Sequence, residues 1–161
     1  MAKSEKRPVV GVVMGSDSDW PLLEDTVKTL RDFGVAFELR VISAHRTPEV
    51  AAEYAQSAVR RGLKVIIAAA GGAAHLAGVL AAHTTLPIIG IPVKGGAMDG
   101  MDALLSIVQM PAGIPVGAVA LGRAGAVNAA LLAVQILALG DGSLARRLAE
   151  GFGSVEDWEK D

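Results

Sequence analysis

Apolar and polar positions change period in a regular alternation along this chain. Val9–Met14 (VVGVVM) is a continuous apolar run that stops at the polar turn GSDSDW, Gly15–Trp20. Pro21 suits the first turn of a helix. Leu23, Val27 and Leu30 then fall at i, i+4 and i+7 on one helical face, with Gly34 placed to close it. VAFELRVI, Val35–Ile42, reads as a second strand. Thr47-Pro48 opens a second helix, whose face continues through Val50, Tyr54 and Ala58 to Gly62. KVIIAAA, Lys64–Ala70, is a third strand ending at Gly71-Gly72, with an alanine-rich helix after it. LPIIGIPV, Leu86–Val93, is a fourth, followed by the glycine-rich loop KGGAMDG, Lys94–Gly100. Ala103–Met110 predicts a short helix and PVGAVAL, Pro115–Leu121, a fifth strand. An apolar helix over Ala126–Leu139 and a polar helical tail over Ser143–Trp158 complete the pattern.

Strands apolar on both faces, alternating with helices, predict a parallel sheet covered on both sides. The expected fold is a single-domain α/β three-layer αβα sandwich with a flavodoxin-like parallel sheet. Five βα units are too few for a closed eight-fold barrel. A chain of 161 residues fits one core. The pattern divides into a flexible N-terminus over 1–8, the main domain over 9–142 and the helical tail over 143–161, with no linker long enough for a second domain.

Composition narrows the function. With 52% apolar and 20% charged residues, global disorder is excluded. The net charge of −2 comes without a long basic run. Arg60-Arg61 and Arg146-Arg147 sit in helical patterns and read as solvated faces, so nucleic acid is not the expected partner. The chain has no cysteine, which removes disulfides, thiolate metal sites and a cysteine nucleophile. MAKSEKRP leads into a strand rather than a secretory apolar segment. The longest apolar helix, AVNAALLAVQILAL, is about 14 residues, short of a membrane span, and carries Asn128 and Gln135. The expected location is the cytoplasm. That helix is apolar nearly all round, which predicts burial on all sides and hence subunit contacts.

In such sheets ligands bind beyond the carboxyl ends of the strands. The first of those loops holds Ser16, Asp17, Ser18 and Asp19, the second Ser43, His45 and Arg46, the third Gly71, Gly72 and His75. Each has a plain structural reading. Asp19 is placed to cap the helix near Pro21, and Ser43 or Thr47 the next one. Gly71-Gly72 serves equally as a tight turn. His75 and His83 lie in a helical pattern and read as structural, and Lys94 as a solvated loop charge. There is no GxxxxGK[ST] loop, and no His and carboxylate pair has metal-ligand spacing.

Together these residues make a sharper proposal. Arg46 can hold a phosphate through its fork of donors. Backbone N–H groups at Gly71–Ala74 and at helix starts favour an anion. Ser16 and Asp19 offer donors and acceptors to a ribose. His45 then remains as a side chain of a type that ordinarily titrates near pH ~6.5 and so suits proton transfer. The residues read as a sugar-phosphate or nucleotide-monophosphate site with one histidine acid–base. Chemistry beyond proton transfer does not follow from spacing.

GSDSDW, SAHRTP (Ser43–Pro48), GGAAHLAGV (Gly71–Val79), SIVQMP-x-GIPV (Ser106–Val116) and AGAVNAALLA-x-QILAL (Ala124–Leu139) occur in this order. From about Val9 to about Arg147 the chain thereby resembles the N5-carboxyaminoimidazole ribonucleotide mutases, the class I phosphoribosylaminoimidazole carboxylase catalytic subunits of purine biosynthesis. The resemblance implies a homo-octamer and conversion of N5-carboxyaminoimidazole ribonucleotide to 4-carboxyaminoimidazole ribonucleotide. It implies no cofactor: neither ATP, metal nor biotin. It also implies a functional pairing with the carbamate-forming synthetase, and no nucleic-acid or membrane partner.

In the mechanism it implies, the carbamate loses carbon dioxide inside a closed site. The aminoimidazole carbon attacks the trapped carbon dioxide, and a histidine removes the ring proton. Carried over by motif, that histidine is His45; Ser16, Asp19 and Arg46 bind the nucleotide. Ser43 and Gly71, Gly72, Ala73, Ala74, His75 and Leu76 shape the phosphate and carbon dioxide pocket. The KGGAMDG glycines form part of a closing loop or a simple turn. The chain departs from the family pattern at Ala69 (usually Gly), Ala77 (usually Pro), Gly95 and Ala103 (usually Ser). Three rivals differ in residues. A class II enzyme, which carboxylates aminoimidazole ribonucleotide directly, has Lys at the place of Arg46. A non-catalytic nucleotide-binding domain needs no His45. A flavoprotein needs stacking aromatics, which this sequence lacks.

Overall fold

The structure is a computed structural model that describes residues 7–152. Residues 1–6, most of the expected N-terminal arm, and the Trp158 end of the expected tail lie outside the described residues. In chain order the elements are β1 (Val10–Met14), α1 (Trp20–Asp32), β2 (Phe37–Val41), α2 (Pro48–Arg61), β3 (Val65–Gly71) and α3 (Leu76–Ala81). Then follow β4 (Ile88–Val93), α4 (Met101–Val108), β5 (Gly117–Ala118), α5 (Arg123–Ala138) and α6 (Gly142–Phe152). A single 3-10 turn, Asp17–Asp19, leads into α1.

The five strands form one parallel sheet in the order β2-β1-β3-β4-β5. The flavodoxin-like α/β expectation therefore holds. Met14 of β1 lies level with Val41 of β2 and Ala69 of β3, so β1 and β2 end level and β3 runs two residues further at the same edge. Burial explains their sequences. Every residue of β1 is buried, as are Val65–Ala70 of β3, because helices cover both faces of the sheet. On one face Val13, Ile66 and Ala68 pack with Tyr54, Ala55 and Ala58 of α2, Leu80 of α3 and Ile107 of α4. On the other, Val12, Ile67, Ala69, Ile89 and Ile91 pack with Leu23 and Leu30 of α1 and with Ala129, Ala133 and Val134 of α5. Each fully buried Leu or Ile contributes about 1.5–3 kcal/mol, so these two clusters carry the fold.

The sheet edges depart from the sequence reading. β2 starts at Phe37 rather than Val35 and is only partly buried; an edge strand tolerates Glu38 and Arg40 where a central one would not. β5 is two residues long instead of seven. It pairs only through Ile89 with Gly117 and Gly90 with Ala118, and Pro115 before it has no N–H to extend the ladder. The alanine-rich helix after β3 is one short element of six residues.

Arg61 is not the solvated charge that its helical pattern predicts. Its Nη1 binds Glu38 Oε1 of β2, its Nε donates to Ser57 Oγ at 3.2 Å, and its Nη2 donates to the Tyr54 carbonyl at 3.3 Å. The guanidinium also stacks 4.5 Å from the Tyr54 ring centroid. This tie fixes the C-terminal end of α2 to β2. Burial by itself would raise the Glu38 pKa; the Arg61 hydrogen bond, with Tyr54 and the Arg61 and Arg40 charges, brings it below the ordinary carboxylate value. Burial, then the Glu38 carboxylate, pushes the Tyr54 hydroxyl up. A Cβ on Gly11 would collide with the Tyr54 hydroxyl oxygen, so glycine in β1 is what lets Tyr54 lie against the sheet.

Helix α5 buries Ala126, Ala129, Ala130, Ala133 and Val134; small side chains let it lie close against α1 and the sheet. Asn128, Gln135 and Leu139 are exposed, so within one protomer the helix is covered on one face rather than all round. No helix among the described residues is long and apolar enough to cross a membrane. Of the departures from the family pattern, Ala69, Ala77 and Ala103 are buried. Among the described residues Asp99 is the only non-glycine residue with positive φ, so Ala69 keeps an ordinary backbone and its methyl simply fills core space. Gly95 has φ of 146°, a conformation that suits glycine and strains serine.

Candidate active site

The strand order turns at β1, which sends its following helix to one face while β3 sends its own to the other. The crevice opened by such a reversal is where doubly wound sheets bind ligands. A cavity of about 260 Å³ lies there, lined by Gly15, Ser16, Asp19, Ser43, Ala44, His45, Arg46, Ala70, Gly71, Ala73, His75 and Leu76. Nine of the eleven residues singled out from sequence line it. Gly72 and Ala74 do not: Gly72 is an exposed turn residue with φ of 59°, and Ala74 points into the core under α2 and α3. The Ala74 N–H, expected to face an anion, donates instead to the Gly72 carbonyl at 2.9 Å. Gly15, Ala44 and Ala70 were missed because they carry no functional group; their only signal is adjacency to the motifs.

The first loop is built by its own side chains. Ser16 Oγ accepts from Ser18 N, and the Ser16 N–H donates to Asp19 Oδ2, each at 3.3 Å, a reciprocal capping box around the 3-10 turn. Asp19 occupies the N-cap position of α1 but makes no side-chain capping bond to it. Its carboxylate is buried. Burial raises its pKa; the Ser16 N–H opposes that and the Asp17 charge adds to it. A carboxylate held this way beside an opening is a strong acceptor for a ligand hydroxyl.

The second loop closes on itself. The Ser43 N–H donates to Thr47 Oγ1 at 3.2 Å, and Thr47 Oγ1 donates to the Ser43 carbonyl at 3.0 Å. The Arg46 N–H donates to Ser43 Oγ at 3.2 Å. Neither Ser43 nor Thr47 caps α2, contrary to the simple reading of the sequence. Arg46 is exposed and joins no ion pair among the described residues, so its guanidinium is available to an anion.

The third loop brings up a second imidazole. His45 Nε2 lies 2.7 Å from His75 Nδ1, with the rings edge to face at 84° and centroids 4.8 Å apart. His75 precedes α3 and is exposed; it does not sit on a packed helical face as its sequence pattern predicts. At this distance one ring nitrogen donates and the other accepts, so the two imidazoles form one hydrogen-bonded pair. His83 lies elsewhere, with Nδ1 3.4 Å from Gln56 Nε2 of α2. Lys94 pairs across the glycine loop with Asp99 at 3.1 Å.

A guanidinium outside any ion pair among the described residues, a buried carboxylate, hydroxyls and two imidazoles 2.7 Å apart line this one cavity of a flavodoxin-like sheet. Comparisons give the lineage. A family model described as AIR carboxylase matches residues 9–156. The N5-carboxyaminoimidazole ribonucleotide mutase of Bacillus subtilis is 57% identical over 144 residues, covering 89% of this chain and 89% of that protein. The enzyme of the same name from Mycobacterium tuberculosis (strain ATCC 25618 / H37Rv) is 56% identical over 148 residues, or 92% of this chain and 84% of that one. The crystal structure of Treponema denticola PurE superimposes with a TM-score of 0.78 at 32% identity, over 88% of this chain and 87% of that one. The chain belongs to the AIR carboxylase family.

Proposed function

We propose that this chain converts N5-carboxyaminoimidazole ribonucleotide to 4-carboxyaminoimidazole ribonucleotide in purine biosynthesis, with His45 moving the proton. The observation that supports the mechanism is the 2.7 Å contact of His45 Nε2 with His75 Nδ1 at the cavity. The two half-reactions need one proton in opposite directions. Breaking the carbamate C–N bond releases carbon dioxide, and a proton goes to the exocyclic nitrogen. The ring carbon then forms a C–C bond to that carbon dioxide, and its proton returns to the base. A histidine that gives up a proton in the first step and takes one back in the second completes the cycle without a net change.

The other residues orient. Arg46 engages the phosphate, Ser16 and Asp19 the ribose, and Ser43, Gly71, Ala73, His75 and Leu76 enclose the reacting end. Enclosure matters because carbon dioxide released into water is lost. The enzyme works in the cytoplasm, beside a synthetase that makes its carbamate substrate. It assembles as an octamer, a reading supported by the apolar residues one protomer leaves exposed: Met98, Met101, Leu105 and Val108 around α4, and Leu139 after α5.

The test is the ultraviolet absorbance of 4-carboxyaminoimidazole ribonucleotide, formed from the N5-carboxylated substrate or from aminoimidazole ribonucleotide plus bicarbonate. Rapid turnover of the carbamate alone is the expected result. Efficient use of the unmodified ribonucleotide at low bicarbonate would instead make the chain a direct carboxylase, and the weight placed on Arg46 would be wrong.

A further inference from the structure

We infer that Thr47 is a positioning residue for His45 and Arg46, acting through a hydroxyl diverted from its helix to the loop that carries them. The inference rests on the mutase reading of the site. Thr47 stands at the N-cap of α2, where a threonine hydroxyl ordinarily accepts from the free N–H groups of the first turn. It makes no such bond. Its hydroxyl turns back to Ser43 instead, accepting from the N–H at 3.2 Å and donating to the carbonyl at 3.0 Å. One hydroxyl therefore holds both backbone polar groups of Ser43, two residues past the end of β2. The Thr47 N–H adds a third bond, 3.0 Å to the same carbonyl, and Ser43 Oγ holds the Arg46 N–H.

The result is a closed ring over Ser43–Thr47 with Ala44, His45 and Arg46 at its crest. The His45 ring meets His75, 30 residues away in sequence, at 2.7 Å. A contact that short tolerates little movement of the loop beneath it. Holding the loop before substrate arrives is preorganisation, and misplacing a reacting group by about 1 Å costs about 100-fold in rate. The bonding needs a group that donates and accepts at once. Serine supplies it; valine, of the same shape as threonine, does not.

The experiment compares Thr47→Val and Thr47→Ser with the unaltered chain. Turnover of the N5-carboxylated substrate is followed across pH, alongside thermal melting. Thr47→Val is expected to lower kcat about 10–100-fold, to change KM less, and to shift the pH profile of kcat, while Tm stays near that of the unaltered chain because no capping bond is lost. Thr47→Ser is expected to restore kcat to within about threefold and to return the pH profile. Unchanged kcat and pH profile in Thr47→Val would overturn the inference. So would a serine variant as impaired as the valine one, or a valine variant that fails to fold, since that would make the hydroxyl a structural cap. Absence of turnover in the unaltered chain would overturn the mutase reading itself, an outcome distinct from all of these.

Discussion

Two of the molecule's cavities lie at opposite ends of the same strands, and the larger is not the one that holds the paired histidines. At the amino ends, beneath the turn from α5 to α6, a space of about 620 Å³ is lined by Arg7, Val9, Val35, Lys64, Leu137, Leu144 and Arg147, among others. At the carboxyl ends, the space holding His45 and Arg46 is about 260 Å³. The larger one has cations and apolar walls, but no histidine lines it. The smaller one collects hydroxyls, a buried carboxylate, a guanidinium and two imidazoles from three loops. What separates the two is chain direction. A parallel sheet aims all its strand exits at one edge, so short polar loops converge there and only incoming connections gather at the other.

Replacing His45 should break the comparison hardest. His45→Asn is expected to cut turnover by about 100–10,000-fold while nucleotide binding by calorimetry persists; unaltered turnover would remove His45 from the chemistry. Asp19 comes next. Its folded pKa is raised, so its contribution to stability is present below its ordinary value of 3.8 and lost as pH rises through the folded value. Asp19→Asn should therefore raise Tm at neutral pH but not at pH 3, while substrate affinity falls about tenfold. A fall in Tm at neutral pH would show that the carboxylate holds the turn together rather than serving a ligand.

Glu38 gives the opposite sign at a smaller size. Its folded pKa is lowered, so its contribution is present above 4.5 and lost as pH falls through the folded value. In urea at pH 7, Glu38→Gln should be about 1–2 kcal/mol less stable, and the gap should close on acidification. A gap independent of pH would mean that packing, not charge, holds Arg61. The smallest effect belongs to the larger cavity: Lys64→Gln should leave kcat and KM within about twofold, as expected of a surface substitution. A large loss there would give the amino edge a part in catalysis.

Legibility in the sequence followed burial. β1, β3 and β4 are covered on both faces and read as plain apolar runs. α1 and α2 are bounded by prolines and glycines whose backbone limits are local. β2 and β5 read too long, because an edge strand stops where its neighbour stops, a property of the partner and not of the segment. The site was legible as loops but not as bonds. Ser43 and Thr47 look like caps until the structure shows that they bond each other. The meeting of His45 with His75 depends on β2 and β3 standing on either side of β1, which no periodicity records. Arg61 looks solvated because its partner, Glu38, lies on a different element.

The residues lining the smaller cavity all come from one stretch of the chain, Gly15 to Leu76. One face of β3 packs against α5, and α5 begins only at Arg123. As the chain leaves the ribosome, every catalytic loop exists before the lid of its own core has been made. Until then Ile67 and Ala69 of β3 lack one of the helices that cover them. The growing chain is then most exposed to aggregation when its chemistry is already encoded in full. Truncation before α5 would yield an apolar, adhesive fragment rather than a minimal enzyme.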